Sequence, residues 1–277
     1  MVAASMEPVV VGVDGTLASM RALDLAADEA MGRVVPLVVV YTVAPPLDPT
    51  LPQHQRLLDL AVSRAEADHP GLAVSAELVR GEPVEALIAW SWRACLLVLG
   101  HAHGDHPSVA AGVVERSAAP VIVYRPFVGA SQVDRRPVLV GVDATGPGLA
   151  ALRFAFEEAA LRGAPLSVVQ VWPGPAADEP GVTGAASPAQ AARLLSAAIA
   201  QWSSRYAEVP VHSEVLRGRA VASALAGASR NAALVVVGAH HDGAAGSSGP
   251  VSRALIDLAA CPVAVVDAVR VPAALAA

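Results

Sequence analysis

The chain has 277 residues, of which 54% are hydrophobic and 16% are charged, and its formal net charge is −6. This composition supports a sizeable buried core, and it argues against disorder and against a general electrostatic grip on nucleic acid. All 19 basic residues are arginine. The lack of lysine excludes a Walker A phosphate loop, a protein kinase and Schiff-base catalysis, because each of these needs a lysine side chain.

Short apolar runs alternate with helical patterns along the first half of the chain. The runs predict strands buried on both faces, and the 3.6-residue patterns between them predict helices. The first helix is expected to be capped by Thr16 or Ser19 and to end near Met31. The predicted strands are Val9–Val13, Leu37–Val43, Leu72–Val79, Leu96–Leu99 and Val121–Tyr124, and the later helices are Leu51–Asp68, Pro83–Trp92 and Ser108–Ala118.

The second half of the chain repeats the first. Val9–Val43 aligns without a gap on Val138–Trp172, so that Gly12-Val13-Asp14 falls on Gly141-Val142-Asp143. Later in the chain, Arg217-Gly218 corresponds to Arg80-Gly81, and Pro262-Val263 corresponds to Pro120-Val121. Matched positions in one order predict two copies of one domain, residues 1–127 and 137–270. The expected fold is α/β, with two tandem doubly wound parallel five-stranded sheets.

Ligands on such sheets bind beyond the carboxyl ends of the strands, where the strand order reverses. Asp14 and Asp143 begin the loop after the first strand of each copy. A carboxylate there can accept a hydrogen bond from a sugar hydroxyl or an adenine amine, or it can serve a turn at the start of a helix. Its recurrence in both copies favours the binding role.

The loop after the fourth strand of the second copy is rich in glycine. It runs from Gly238 through His240, His241 and Gly249 to Ser252. Glycines let a backbone approach phosphates closely, and the start of the following helix offers N–H groups. A surface loop with no ligand is the alternative.

The corresponding loop of the first copy is rich in histidine. Its residues His101, His103, Asp105 and His106 are ligand types for zinc or nickel. We predict no metal site, because a short loop rarely aims three such ligands at one point. A solvated loop and partly protonated histidines that contact phosphate are the alternatives.

Three segments resemble the universal stress protein A family: Val11–Thr16, its twin Val140–Thr145, and Gly249–Val266. Two tandem copies resemble the tandem-domain members of high-GC bacteria. The resemblance implies a flavodoxin-like open α/β sandwich, akin to the adenine nucleotide alpha hydrolases. It also implies ATP as ligand, with or without Mg²⁺, and a homodimer formed through the last strands.

The family's binding pattern is a Gly, two residues, a Gly, nine residues, and then Gly with Ser or Thr. The second copy has Gly238 first, His241 where the second glycine belongs, and Gly249 after seven residues, followed by Pro250. The resemblance therefore implies binding by these second-copy residues: Val142, Asp143, Val171, Gly218, Gly238, His240, His241, Gly249, Val251 and Ser252.

The first copy departs further from this pattern, although Asp14, Gly100 and Ser108 occupy matching positions. Six residues separate Gly100 from Pro107, where the family has twelve, and Pro107 replaces the third glycine. The resemblance thus favours adenine nucleotide binding in the second copy over the first, where Asp14, Gly100 and Ser108 are the candidate binding residues.

Three functions remain open at this level: a nucleotide-binding regulatory stress protein, a scaffold whose sites have decayed, and a slow ATPase. No enzyme is expected, because the sequence shows no serine–histidine–acid motif, nucleophile elbow or base tied to a nucleophile. We further expect a cytoplasmic protein with neither a nucleic acid nor a membrane partner. Residues 1–7 do not resemble a signal peptide. Cys95 and Cys261 lie in or beside apolar runs, which is typical of buried free thiols in a reducing compartment.

Overall fold

The computed structural model describes residues 7–45, 52–101, 108–125, 136–142, 146–172, 188–217, 220–239 and 249–267. The chain divides into two compact units between Pro126 and Phe127, called unit 1 and unit 2 below. In the described part of the chain, no helix has both the length and the apolar character needed to cross a membrane.

Unit 1 is a parallel sheet whose strands lie in the order β3-β2-β1-β4-β5. Its order reverses between β1 and β4, and α1 packs with α2 while α3 packs with α4, as a doubly wound sheet requires. The strands are β1 (Val9–Val13), β2 (Leu37–Val43), β3 (Val74–Arg80), β4 (Leu96–Gly100) and β5 (Val121–Tyr124), and the helices are α1 (Leu17–Arg33), α2 (Pro52–Asp68), α3 (Pro83–Ser91) and α4 (Val109–Val114).

Unit 2 repeats this arrangement, with strand order β8-β7-β6-β9-β10 and parallel pairing throughout. The predicted α/β class is therefore confirmed. The strands are β6 (Val138–Gly141), β7 (Leu166–Trp172), β8 (Val211–Arg217), β9 (Leu234–Gly238) and β10 (Val263–Val266), and the helices are α5 (Gly146–Arg162), α6 (Pro188–Ser203), α7 (Val221–Ala228) and α8 (Pro250–Leu258), with a short 3₁₀ turn at Ser229–Asn231.

Helix α1 shows how the sequence determines an element. The side chain of Thr16 caps it by accepting a hydrogen bond from the Ser19 N–H, at 3.2 Å. One face consists of small and apolar residues spaced for a 3.6-residue period, and it is fully buried against β1 and β4. These buried residues are Ala22, Leu23, Ala26, Ala27 and Ala30.

Two predicted elements differ most from the structure. The helix expected to reach Ala118 ends at Val114, because the Arg116 N–H turns back to the Val113 carbonyl and the chain then approaches Pro120 in a non-helical conformation. Strand β3 begins at Val74 rather than Leu72, since the Leu72 N–H donates to the His69 carbonyl in a turn.

A buried ion pair recurs at the same place in both units. Glu29 pairs with Arg33 in α1, and Glu158 pairs with Arg162 in α5, with 3.0 Å between Glu158 Oε2 and Arg162 Nη2. Glu158 is 0% exposed. A buried carboxylate needs such a partner because burial disfavours its charged form.

A buried serine also recurs near the end of α3 and directly after α7. Ser91 donates to the Ile88 carbonyl and accepts from the Ala118 N–H at 2.9 Å. Ser229 donates to the Ala226 carbonyl and accepts from the Ala260 N–H at 2.8 Å. In each unit the hydroxyl therefore ties the end of one helix to the turn that precedes the last strand.

Both cysteines are free thiols, as predicted. Cys261 is buried and Cys95 is half-buried. Burial raises the pKa of the Cys95 thiol to about 11 and that of the Cys261 thiol to about 12. Neither is therefore a reactive thiolate at neutral pH.

Candidate functional site

A cavity of about 240 Å³ opens in unit 2 at the carboxyl ends of β6, β7 and β9. This is the side on which doubly wound sheets bind ligands. Helices α7 and α8 complete it with their first residues. Its lining consists of Gly141, Val142, Gly148, Val169, Val171, Val221, Leu225, Val237, Gly238, Gly249, Pro250, Val251 and Ser252.

The wall formed by β6, β7, β9 and α7 is apolar. Val142 is held at the end of β6 by its N–H, which donates to the Val169 carbonyl at 2.9 Å. Leu225 approaches the strand because residue 141 is glycine: a Cβ on Gly141 would lie 2.7 Å from Leu225 Cδ1. Valine and leucine side chains thus present a surface suited to a flat apolar ring.

The opposite wall is the start of α8. Gly249 is the N-cap, and its carbonyl accepts from the Arg253 N–H at 3.2 Å. The hydroxyl of Ser252, a residue that is 1% exposed, donates to the same carbonyl at 2.9 Å. Pro250 has no N–H, so the first turn offers the N–H groups of Val251 and Ser252, which have no acceptor within the helix.

The structure brings together most of the second-copy residues predicted from the sequence. Val142 and Val171 line the cavity, and so do the remaining predicted residues with described positions: Gly238, Gly249, Val251 and Ser252. The other predicted positions lie outside the described residues: Asp143, Gly218, His240 and His241.

Sequence reasoning missed part of the apolar wall. Val169, Val221, Leu225 and Val237 line the cavity but resemble ordinary core residues in the sequence. The alternation of Val169 with Val171 near the end of β7 is the signal that could have identified this wall, because alternate residues of a strand face the same side.

In unit 1, the loop between β1 and α1 is held by hydrogen bonds among its own residues. Asp14 Oδ1 accepts from the Thr16 N–H at 2.9 Å and from Thr16 Oγ1 at 2.6 Å. Burial raises the pKa of Asp14, but the hydrogen bonds from Thr16 and Ser19 outweigh this effect and hold the pKa below its usual value. Asp14 is thus ionised at neutral pH and serves the turn into α1.

Gly100 in unit 1 is required for packing. A Cβ at this position would lie 2.6 Å from the backbone carbon of Ala18 and 2.6 Å from the backbone nitrogen of Ser19. Both are main-chain atoms of α1, which cannot give way as a flexible side chain can. The glycine therefore lets β4 end against the first turn of α1.

Ser108 in unit 1 has both a capping contact and a histidine contact. Its hydroxyl accepts from the Ala111 N–H at 3.4 Å, which makes it the N-cap of α4, and it lies 2.9 Å from Nδ1 of His101. His101 is only 7% exposed. The two ends of the shortened loop are thus joined directly, whereas Gly238 and Gly249 of unit 2 line a cavity.

The metal alternative concerns the same loop. Across the described ranges, no three His, Cys, Asp or Glu side chains are grouped in a way that could hold a metal ion. His103, Asp105 and His106 lie outside those ranges, so the test covers only His101 of this cluster.

Comparison with known proteins extends the sequence resemblance to the whole chain. A sequence model of the universal stress protein family matches residues 6–125 and 134–267. Universal stress protein Rv2005c of Mycobacterium tuberculosis is 33% identical over 93% of this chain and 96% of its own length. Universal stress protein Rv2623 of the same species is 31% identical over 93% of this chain and 95% of its own length.

A solved structure shows the same fold. The crystal structure of a universal stress protein from Archaeoglobus fulgidus covers 94% of this chain and 96% of its own, with a TM-score of 0.67 at 19% identity. The family itself is shown by the match in both halves and by the relatives aligned over nearly their full length. The chain belongs to the universal stress protein family, as a tandem member with two copies of the family's domain.

Proposed function

We propose that unit 2 binds an adenine nucleotide and that its occupancy regulates the role of the protein in the stress response. The observation that carries this proposal is the cavity of about 240 Å³ at the strand carboxyl ends. It joins an apolar wall to a helix start, the two surfaces that a nucleotide needs.

The two walls suit different parts of such a ligand. The base and sugar pack against Val142, Val171 and Leu225, since apolar walls favour a largely apolar ring system. The phosphate lies near the N–H groups of Val251 and Ser252, because the start of a helix carries a partial positive charge.

A structural role without ligand is the second candidate, and it applies to unit 1. The contact between His101 and Ser108 supports it, because this contact uses the serine that matches the family's binding position. In this view unit 1 keeps the family's fold while unit 2 keeps the family's site.

We also propose that the protein does not catalyse a reaction. The sequence shows no motif that ties a base to a nucleophile, although His101 does contact Ser108 in the structure. The Ser108 hydroxyl is held as a helix cap by the Ala111 N–H, which argues against a nucleophile. We expect no phosphate release from ATP above background; turnover that disappears in Ser108→Ala would contradict this.

The proposal includes the cytoplasmic location expected from the sequence and the homodimer that the resemblance implies. Light scattering coupled to size exclusion checks the dimer: twice the chain mass is expected, and a single chain mass at micromolar concentration would contradict it.

The thermal stability of the full chain with and without AMP or ATP tests the central proposal. A ligand that binds only the folded state raises the melting temperature with increasing concentration. We expect such a rise with the adenine nucleotide. No shift from either compound at millimolar concentration would remove the proposal.

A matched pair of variants assigns the shift to unit 2. Val221 lines the cavity, and Val84 occupies the same position after the Arg-Gly pair of the first copy. We expect Val221→Phe to fill the cavity and abolish the shift, and Val84→Phe to preserve it. Equal loss in both variants would argue that the shift does not come from this cavity.

A further inference from the structure

We infer that the site of unit 2 derives its affinity from the nucleoside and at most one phosphate, so that ATP binds no more tightly than AMP. This inference rests on the proposed function and deepens it, because it specifies which adenine compounds the site favours. Three independent features of the chain lead to it: the charge of the walls, the donors at the helix start and the size of the cavity.

The described walls carry no formal charge. Every lining residue in the described part of the chain is glycine, valine, leucine, proline or serine. The second and third phosphates of ATP add several negative charges, and an unpaired charge is costly to remove from water. The walls therefore offer these phosphates no compensating side chain.

Two of the connections that follow strands of unit 2 contain no lysine or arginine in their sequence. Segment 240–248, between β9 and α8, contains no lysine or arginine, and its one permanently charged residue is Asp242. Segment 143–145, after β6, begins with Asp143, a second carboxylate. These two connections thus bring negative charge by composition alone. The connection between β8 and α7 differs, since Arg217 and Arg219 flank Gly218.

The helix start can serve one phosphate. Pro250 supplies no N–H, and the Ser252 hydroxyl has given its single proton to the Gly249 carbonyl at 2.9 Å. The N–H groups of Val251 and Ser252 remain. Their combined partial charge is about half of one unit, which offsets part of the charge of one phosphate and falls far short of three.

The size of the cavity points the same way. Its volume of about 240 Å³ lies below the range of roughly 300–1,000 Å³ that is typical of pockets for drug-sized ligands. Such a cavity takes the base and sugar, and phosphates beyond the first extend toward water. Phosphates in water contribute little to affinity.

Isothermal titration of the full chain with adenosine, AMP and ATP, all at the same Mg²⁺ concentration, tests this inference. We expect AMP to bind about two- to fivefold more tightly than adenosine, the gain from one helix start. We expect the affinity for ATP to be lower than the affinity for AMP or to exceed it by no more than about threefold. A threefold gain in affinity is smaller than the contribution of one charged hydrogen bond.

The outcomes separate the inference from the proposed function. ATP that binds more than about threefold tighter than AMP overturns the inference alone, because that gain requires contacts to the outer phosphates. Failure of all three compounds to bind overturns the proposed function, and the inference with it.

The two arginines provide a second test. We expect Arg217→Ala and Arg219→Ala to leave the ratio of ATP affinity to AMP affinity unchanged. A selective loss of ATP affinity in either variant would show that an arginine binds the outer phosphates, and it would overturn the inference.

Discussion

At the amino-terminal ends of their strands, units 1 and 2 are built from the same contacts. The Glu29–Arg33 pair has its counterpart in Glu158–Arg162, and the hydrogen bonds of Ser91 have theirs in Ser229. At the carboxyl-terminal ends the units differ. Unit 2 has a cavity beside α8, whereas the same region of unit 1 contains the direct contact between His101 and Ser108.

This difference separates the requirements of the fold from those of the site. The contacts that are present in both units stabilise the parallel sheet independently of the length of the loops. The loop after the fourth strand is not what holds the sheet together, because unit 1 keeps its sheet although this loop is shorter in its sequence. The following predictions test this division, beginning with the largest effect.

Gly100→Ala should destabilise unit 1 by about 3 kcal/mol, because the new Cβ would overlap with backbone atoms of α1. The ligand-dependent stabilisation of unit 2 should remain. Hydrogen exchange measured peptide by peptide reports the two units separately. Loss of ligand binding with an intact unit 1 would show that Gly100 belongs to a binding site instead.

Gly227→Ala is the matched control for this substitution. Gly227 lies within α7, and a Cβ there meets nothing within 4 Å. Alanine should stabilise unit 2 by about 0.5–1 kcal/mol through helix propensity. A loss of stability comparable to that of Gly100→Ala would undermine the packing argument.

Glu158→Gln should destabilise unit 2 by about 3 kcal/mol, and Glu29→Gln should affect unit 1 similarly. This value is the low end for breaking a buried ion pair, since the side chain of Arg162 is 24% exposed. Urea unfolding of both variants checks the effect. A large loss of stability in one unit with none in the other would show that the Glu–Arg pair does not have the same role in both units.

Ser229→Ala and Ser91→Ala should each cost about 2 kcal/mol, because the Ala260 and Ala118 N–H groups lose their acceptor. Equilibrium unfolding measures both. If either substitution proved neutral, the serine would not be tying its helix end to the turn before the last strand.

Val34→Gly should stabilise unit 1 by about 1 kcal/mol. Val34 caps α1 with φ = 57° and ψ = 45°, a left-handed conformation that strains a β-branched residue. The equivalent residue of unit 2 is Gly163, with φ = 56°. Gly163→Val should therefore destabilise unit 2 by a similar amount. Unchanged melting temperatures in both variants would refute the strain.

Regular patterns made much of the fold predictable. The sequence predicts β1, β2 and β5 with the bounds that the structure has, because each is an apolar run ended by polar, glycine or proline residues. The predicted end of α4 was wrong. The alanines and the serine that follow the helix suit a helical conformation, but hydrogen bonds and Pro120 turn the chain there.

The site was predictable only where glycine and the helix start mark it. Gly238 and Gly249 stand out in the sequence. Leu225, in contrast, lines the cavity only because Gly141 leaves space for its side chain. The contact of His101 with Ser108 depends on how the loop between them closes, and no local pattern encodes such a distance.

The number of adenine nucleotides that bind per chain tests the central claim most directly. Titration to saturation should give one site, retained in Ser108→Ala and lost in Gly249→Glu, because a carboxylate at the start of α8 would repel phosphate and fill the cavity. Two sites per chain, or one site that persists in Gly249→Glu and disappears in Ser108→Ala, would contradict the assignment of binding to unit 2.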